Sequence, residues 1–109
     1  MGAYLRPTRL DEALTLLARP AARPPLVLAG GTDLYPARVG KPIDEDILDL
    51  SAIDGLGGIA ETEHGWRLGA TTTWSTIAEA RLPPLFAGLQ AAAREVGGRQ
   101  IQNAGTLAG

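Results

Sequence analysis

The chain has 109 residues, 45% of them apolar and 20% charged, with a formal net charge of −2. That balance is globular, and with scattered arginines and no basic run it argues against a nucleic-acid surface. No cysteine is present and His64 is the sole histidine, which excludes disulfides, iron–sulfur ligation and histidine-based metal clusters. No apolar stretch is long enough to span a bilayer. The first residues lack an apolar signal core, and Arg6 stands where a myristoylation signal has Ser or Thr. A soluble, cytoplasmic protein is expected. Fourteen glycines and eight prolines punctuate short segments rather than forming a linker. The Gly-Gly pairs at 30, 57 and 97 sit in unrelated contexts, so there is no internal repeat. One small domain over residues 1–109 accounts for this pattern.

Tyr4 and Leu5 can form a short opening strand, closed by Pro7. Thr8 reads as a helix N-cap with Asp11 at N3, a near capping box. Leu10, Ala13, Leu14, Leu17 and Ala18 then recur at helical spacing on one face, and Pro20, Pro24 and Pro25 end the helix. Residues 26–29 are a continuous apolar run, the pattern of a parallel strand covered on both faces. After Gly30 and Gly31, Thr32 or Asp33 can cap a short helix through Arg38, stopped by Gly40 and Pro42. Residues 46–50 are the next strand, completing a βαβ unit. Residues 59–62 and 66–70 flank Glu63, His64 and Gly65 as a hairpin. Thr71, Thr72 and Thr73 offer N-caps for a helix through Ala80. Pro83 and Pro84 introduce a last helix with Leu85, Leu89, Ala92 and Val96 on one face and Gly97 at its C-cap. The fold class expected is α+β: a small βαβ unit, a hairpin and flanking helices. The glycine-rich turn at residues 105–109 has nothing after it to pack against, which is expected of a fragment trimmed from a longer domain.

Two segments carry chemistry. Leu28, Ala29, Gly30, Gly31, Thr32, Asp33 and Leu34 follow a strand and open a helix, where backbone N–H groups lack intrachain partners. Glycine lets a phosphate approach the backbone, the helix end adds partial positive charge and Thr32 adds a hydroxyl, so an anion nest is possible. The same residues are compatible with a tight strand-to-helix turn that binds nothing. Neither a G-x-G-x-x-G fingerprint nor a P-loop lysine is present, which disfavours those two nucleotide sites. The second segment, residues 100–109, is another turn of small and hydroxyl-bearing residues, and alone it reads as a solvated loop. No catalytic side chain is evident. Trp66 and Trp74 read as packing residues, His64 as a solvated hairpin tip, and Asp44, Glu45, Asp46 and Asp49 as solvated carboxylates rather than a cation site.

The two segments, about seventy residues apart, together resemble the FAD-binding domain of the molybdenum hydroxylase family, the xanthine dehydrogenase and carbon monoxide dehydrogenase type. Ala29 to Leu34 match its loop Ala-Gly-Gly-Thr-Asp/Ser-Leu. Gln100 to Gly109 match Gln-Ile-Arg-Asn-x-Gly-Thr-Leu-Gly-Gly, followed in the family by Asn. Residues 66–74 resemble its Ile-Gly-Ala-x-Thr-Thr stretch. The resemblance implies the N-terminal subdomain of a PCMH-type FAD-binding domain, with FAD as cofactor and no metal. It implies that the backbone of Ala29 to Asp33 and the hydroxyl of Thr32 hold the pyrophosphate, with Leu28 and Leu34 flanking. Ile101 would pack near the cofactor, and Gly105, Thr106 and Gly109 would line its other side. The flavin would take electrons from iron–sulfur clusters and pass them to NAD or another acceptor. An iron–sulfur subunit and a molybdopterin subunit would be partners in a hetero-oligomer, the 109 residues alone being inactive. Gln102 stands where the family has Arg, removing a charge near the second loop, and Ala108 replaces a glycine. Two other readings are a cofactor-free docking module, since one wall of a cleft is encoded, and a generic nucleotide-phosphate-binding α/β domain.

Overall fold

Two apolar runs of the middle of the chain, Leu26–Leu28 (β2) and Ile47–Asp49 (β3), pair in parallel. The structure is a computed structural model, which describes residues 2–20, 23–31, 40 and 44–109. Tyr4–Leu5 (β1) joins the other side of β3, giving a parallel sheet of order β1-β3-β2. The central strand is therefore the one buried along its whole length, with Leu48 fully enclosed. The helix expected between Thr32 and Arg38 lies outside the described residues.

The burial of β2 differs from the sequence expectation. Val27 is 54% exposed although it lies in register with Leu48. An unbroken apolar run is read as a strand covered on both faces, but β2 is an edge strand. The helix over this face reaches the central strand and leaves Val27 open. That helix, Leu10–Ala18 (α1), has the span expected, yet it starts from Arg9 without a side-chain cap. Asp11 accepts instead from Glu12 N–H at 2.9 Å and pairs with Arg9 at 2.5 Å, so the box with Thr8 does not form. Ala13 is buried and Leu16 packs with it on a cluster of Leu48, Ile53, Leu5, Leu50 and Leu56. Leu10, Leu14 and Leu17 stay exposed. The apolar stripe is wider than the narrow sheet beneath it, and the small residue makes the close approach.

The hairpin forms from Ile59–Thr62 (β4) and Gly65–Leu68 (β5). Its loop is shorter than expected because Gly65 pairs with Thr62 as the first residue of β5. Trp66 meets Phe86 edge-on at 6.1 Å, which ties the hairpin to the helices as a packing residue would. Those helices are Trp74–Glu79 (α2), Ala87–Arg94 (α3), which follows a 3₁₀ turn at Pro84–Phe86, and Arg99–Ala104 (α4). Their own small core is Ile77 and Ala93, both fully buried. Leu85 and Ala92 point outward, so the buried face of α3 is rotated from the one the spacing indicated. The 3₁₀ turn winds its residues more tightly than an α-helix and shifts their phase. The C-cap is Glu95 rather than Gly97.

Thr73 caps α2, its Oγ1 accepting from Thr76 N–H at 3.1 Å. Thr73→Ala is expected to cost about 1 kcal/mol, seen as a lower urea midpoint with an unchanged slope. An unmoved midpoint would mean that packing alone holds α2.

The result is a slab of 45 × 35 × 18 Å with a radius of gyration of 15.6 Å, against about 13 Å for a close-packed chain of this length. Among the described residues no helix is long and apolar enough to cross a membrane. No cluster of three or more His, Cys, Asp or Glu among them could hold a metal ion.

Candidate functional site

The carboxyl end of β2 is where the first loop begins, the end of a parallel strand at which α/β proteins build ligand sites. Leu28 is buried in the sheet, its carbonyl accepting from Leu50 N–H at 2.8 Å. The next three residues turn their N–H groups to one point. Ala29, Gly30 and Gly31 donate to the main-chain oxygen of Gly109, the last residue, at 3.3, 2.9 and 3.2 Å. Gly31 supplies the positive φ (76°) that such a concave run of amides requires. The two segments singled out in the sequence therefore meet, and they meet through their backbones.

The approach at Gly30 leaves no room for a side chain. A β-carbon there would lie 2.8 Å from the Ala104 carbonyl oxygen and 2.9 Å from Thr106 N. Ala104 had no place in the sequence-derived site, because its contribution is a main-chain oxygen that any residue could supply.

The second segment is not the loose turn that its glycines suggest. It begins as α4, where the sequence alone reads as a loop. It then runs beside residues 70–74. Trp74 N–H donates to the Gly105 carbonyl at 3.1 Å, Leu107 N–H to Thr72 at 2.9 Å and Ala108 N–H to Ala70 at 3.1 Å. Thr73 and Thr106 form an isolated antiparallel bridge. Gly105 and Thr106 are buried. The Thr106 hydroxyl has no hydrogen-bond partner among the described residues. A buried unpaired hydroxyl carries a desolvation cost that a ligand could relieve.

Not every expected residue joins this assembly. Ile101 lies on α4, 39% exposed, with its side chain close to Gly97. Thr32, Asp33 and Leu34 lie outside the described residues. Gln102 turns away from the loops, its Nε2 donating to the carbonyls of Arg94 at 2.9 Å and Gly97 at 3.4 Å. Its charge-free side chain thus caps the end of α3. Ala108 sits without left-handed strain, since no described residue other than glycine has a positive φ.

Asp49, expected to be solvated, is 5% exposed and is the register partner of Leu28. It receives hydrogen bonds from the Tyr4 hydroxyl and from Ser51 N–H at 2.9 Å, with Arg6 at 3.7 Å. Burial opposes its charge, but those hydrogen bonds and Arg6 outweigh it, holding the carboxyl below its ordinary value of 3.8. A carboxylate lowered on folding contributes stability that is full above the unfolded value and lost as pH falls through the folded one. The chain is expected to lose stability below about pH 4. Asp49→Asn should be less stable at neutral pH by about 1–2 kcal/mol and show a flatter acid limb. An unchanged limb in a urea series across pH would refute that role.

An open groove of about 510 Å³ lies between α2, α3 and α4; Gln102 of the second segment lines it, but residues 28–31 and 105–109 do not. Its polar groups serve the fold. Gln90 donates to the carbonyls of Ile77 at 3.0 Å and Ala80 at 2.7 Å, and Arg94 to that of Ala78 at 2.9 Å. Arg99 pairs with Glu79 at 2.5 Å.

Comparison with known proteins identifies the family. The family described as the FAD binding domain in molybdopterin dehydrogenase matches residues 1–109. The nicotinate dehydrogenase FAD-subunit of Eubacterium barkeri is 33% identical over 97% of this chain and 36% of its own length. The fold is similar to carbon monoxide dehydrogenase from Hydrogenophaga pseudoflava, with a TM-score of 0.78 and 29% identity over 99% of this chain and 38% of that one. CO dehydrogenase from Oligotropha carboxidovorans gives 0.79 and 28%, over 100% of this chain and 38% of that one. The chain thus spans a little over a third of the relatives it matches. By sequence and by fold, it belongs to the FAD-binding-domain family of the molybdopterin dehydrogenases, whose cofactor is FAD.

Proposed function

We propose that this chain is the FAD-binding part of a molybdenum hydroxylase-type oxidoreductase and carries the N-terminal subdomain of a PCMH-type domain. In this reading it works in a hetero-oligomer with an iron–sulfur subunit and a molybdopterin subunit in the cytoplasm, relaying electrons through FAD to NAD or another acceptor. The observation that carries it is the convergence of the Ala29, Gly30 and Gly31 amides on a single oxygen. N–H groups oriented onto one point suit a pyrophosphate oxygen. The unpartnered Thr106 hydroxyl and the narrow contact at Gly30 fit a group held between the two segments. Leu28 and Gly105 anchor the walls. Thr32, Asp33, Leu34 and Ile101 join by their place in the family motif. FAD supplies the redox chemistry when bound; the residues of this chain bind and orient, and none acts as a general acid or base.

The test is flavin content of the purified full chain, read by visible absorbance. Gly31→Val places a β-branched residue at a positive φ and is expected to lower bound FAD about tenfold, the left-handed penalty being about 1–2 kcal/mol. Unchanged content would falsify the assignment of this loop. The Gly109 main-chain oxygen already lying against the loop favours one other reading, a cofactor-free docking module. Colourless protein that takes up no added FAD would select it. The tail lying on Gly30 speaks against a generic nucleotide site, which would bind ADP and FAD comparably.

A further inference from the structure

The three parallel strands end at one edge of the sheet, the edge from which the first loop leaves. Leu5 and Val27 are both register partners of Leu48. Arg6 therefore stands level with Leu28, two strand spacings away, or about 10 Å. Its side chain turns into that gap. Nε donates to Ser51 Oγ at 3.4 Å and lies 3.7 Å from Asp49 Oδ2, so the guanidinium sits at the end of β3, between Arg6 and the loop. Asp49 does not depend on this contact for its hydrogen bonds, since it accepts from the Tyr4 hydroxyl and from Ser51 N–H. The inner nitrogen of Arg6 is the tethered one. Among the described residues Nη1 and Nη2 have no hydrogen-bond partner, and the side chain is 56% exposed.

A pyrophosphate brings two negative charges to an edge where buried Asp49 already holds one. The Ala29–Gly31 amides offer partial charges only. Gln102 of the second segment is neutral and bonded to the end of α3. Arg94 and Arg99 line the groove that residues 28–31 and 105–109 do not reach, held by the Ala78 carbonyl and by Glu79. We propose that Arg6 is the cationic arm of the diphosphate site: the Ala29–Gly31 amides hold one phosphate of FAD, and Arg6 Nη1 and Nη2 hold the other. The proposal rests on the reading that those amides serve the pyrophosphate. A guanidinium fork matches two oxygens of one phosphate. The tether through Nε orients the fork before the cofactor arrives, which lowers the cost of ordering it.

The test is the affinity of the full chain for FAD, by quenching of flavin fluorescence, and for ADP, by calorimetry. Arg6→Gln should weaken both about tenfold, the worth of one hydrogen bond to a charged group. Its FAD affinity should also fall less steeply with added salt than that of the parent. Arg6→Lys should keep the parent's salt dependence and lose part of the affinity, because a point charge replaces the fork. Full FAD and ADP affinity in Arg6→Gln, with or without a lowered thermal midpoint, would make Arg6 structural only and overturn the arm. Weaker binding with an unchanged salt dependence would overturn it too, since the loss would then come from a displaced loop. Should Arg6→Gln fail to fold, the parent chain decides: with its arginines and glycines isotopically labelled, ADP should shift the Arg6 Nε–H signal together with the Gly30 and Gly31 amides. Amides that move while the Arg6 signal stays would refute the contact. Failure of the parent to bind either FAD or ADP overturns the pyrophosphate reading with it, whereas FAD binding sensitive to Gly31→Val but indifferent to Arg6→Gln overturns the arm alone.

Discussion

Replacing Gly30 with valine is expected to strip the full chain of flavin and to lower its thermal midpoint. Even the first carbon of the new side chain would lie 2.8 Å from the Ala104 carbonyl oxygen, 2.9 Å from Thr106 N and 3.0 Å from the Gly105 α-carbon. All three are backbone atoms, and Gly105 and Thr106 are held by their neighbours: the Gly105 carbonyl accepts from Trp74 N–H, and Thr106 is bridged to Thr73. No rotamer change relieves such a clash. Either the first loop lifts from the tail or the tail leaves residues 70–74. Overpacking of this kind costs about 1–3 kcal/mol, or several degrees in midpoint per kcal/mol for a domain of this size. The effect on FAD is larger, because separating the segments disperses the converging amides. Flavin per chain should fall more than tenfold, measured by absorbance beside a thermal melt. A variant with lowered midpoint and full flavin content would show that the loop–tail contact is structural only. Gly30→Ala, with the same β-carbon and less bulk, should show the same order of effects at smaller size.

The second large effect is expected at Leu48→Ala. Leu48 is fully enclosed at the centre of the middle strand and belongs to a cluster whose other buried members, among the described residues, are Ala13 and Ile53. Truncating a buried leucine costs about 2–5 kcal/mol, the cost rising with the cavity that remains. Here little can collapse into the space: α1 already sits at alanine distance, and β1 and β3 are bonded in register. Total stabilities are about 5–15 kcal/mol, so the urea midpoint should drop by a large fraction, and β2, which carries the first loop, should loosen with β3. A midpoint within error of the parent would mean that the sheet layer contributes little to stability. The same substitution at the exposed Val27 should be nearly silent.

How far the sequence reaches can be judged element by element. That one of Thr71, Thr72 and Thr73 caps α2 was readable because such a cap is a local interaction; that it is Thr73, whose Oγ1 serves the amide three residues on, is seen only in the structure. The parallel strands were readable because their apolar runs are short and punctuated. Whether Val27 or Leu48 would be covered was not, since edge and centre differ only in what lies beside them. The phase of α3 shifted for a related reason: a 3₁₀ turn precedes it, and helical spacing counted through Pro84 misplaces Leu85 and Ala92. The burial of Asp49 came from Tyr4 and Arg6, more than forty residues away.

What the sequence by itself determined is the family and the pair of motifs, because both reside in residue types at set spacings: two runs of small residues, about seventy positions apart, each following regular structure. What only the tertiary structure decided is that those runs touch, that Gly30 is the point of closest approach, and that the Gly109 oxygen lies on the amides of the first loop. These are main-chain contacts. They depend on how strands and helices bring distant backbone together, and glycine and alanine codes record only that the space is small, not what fills it.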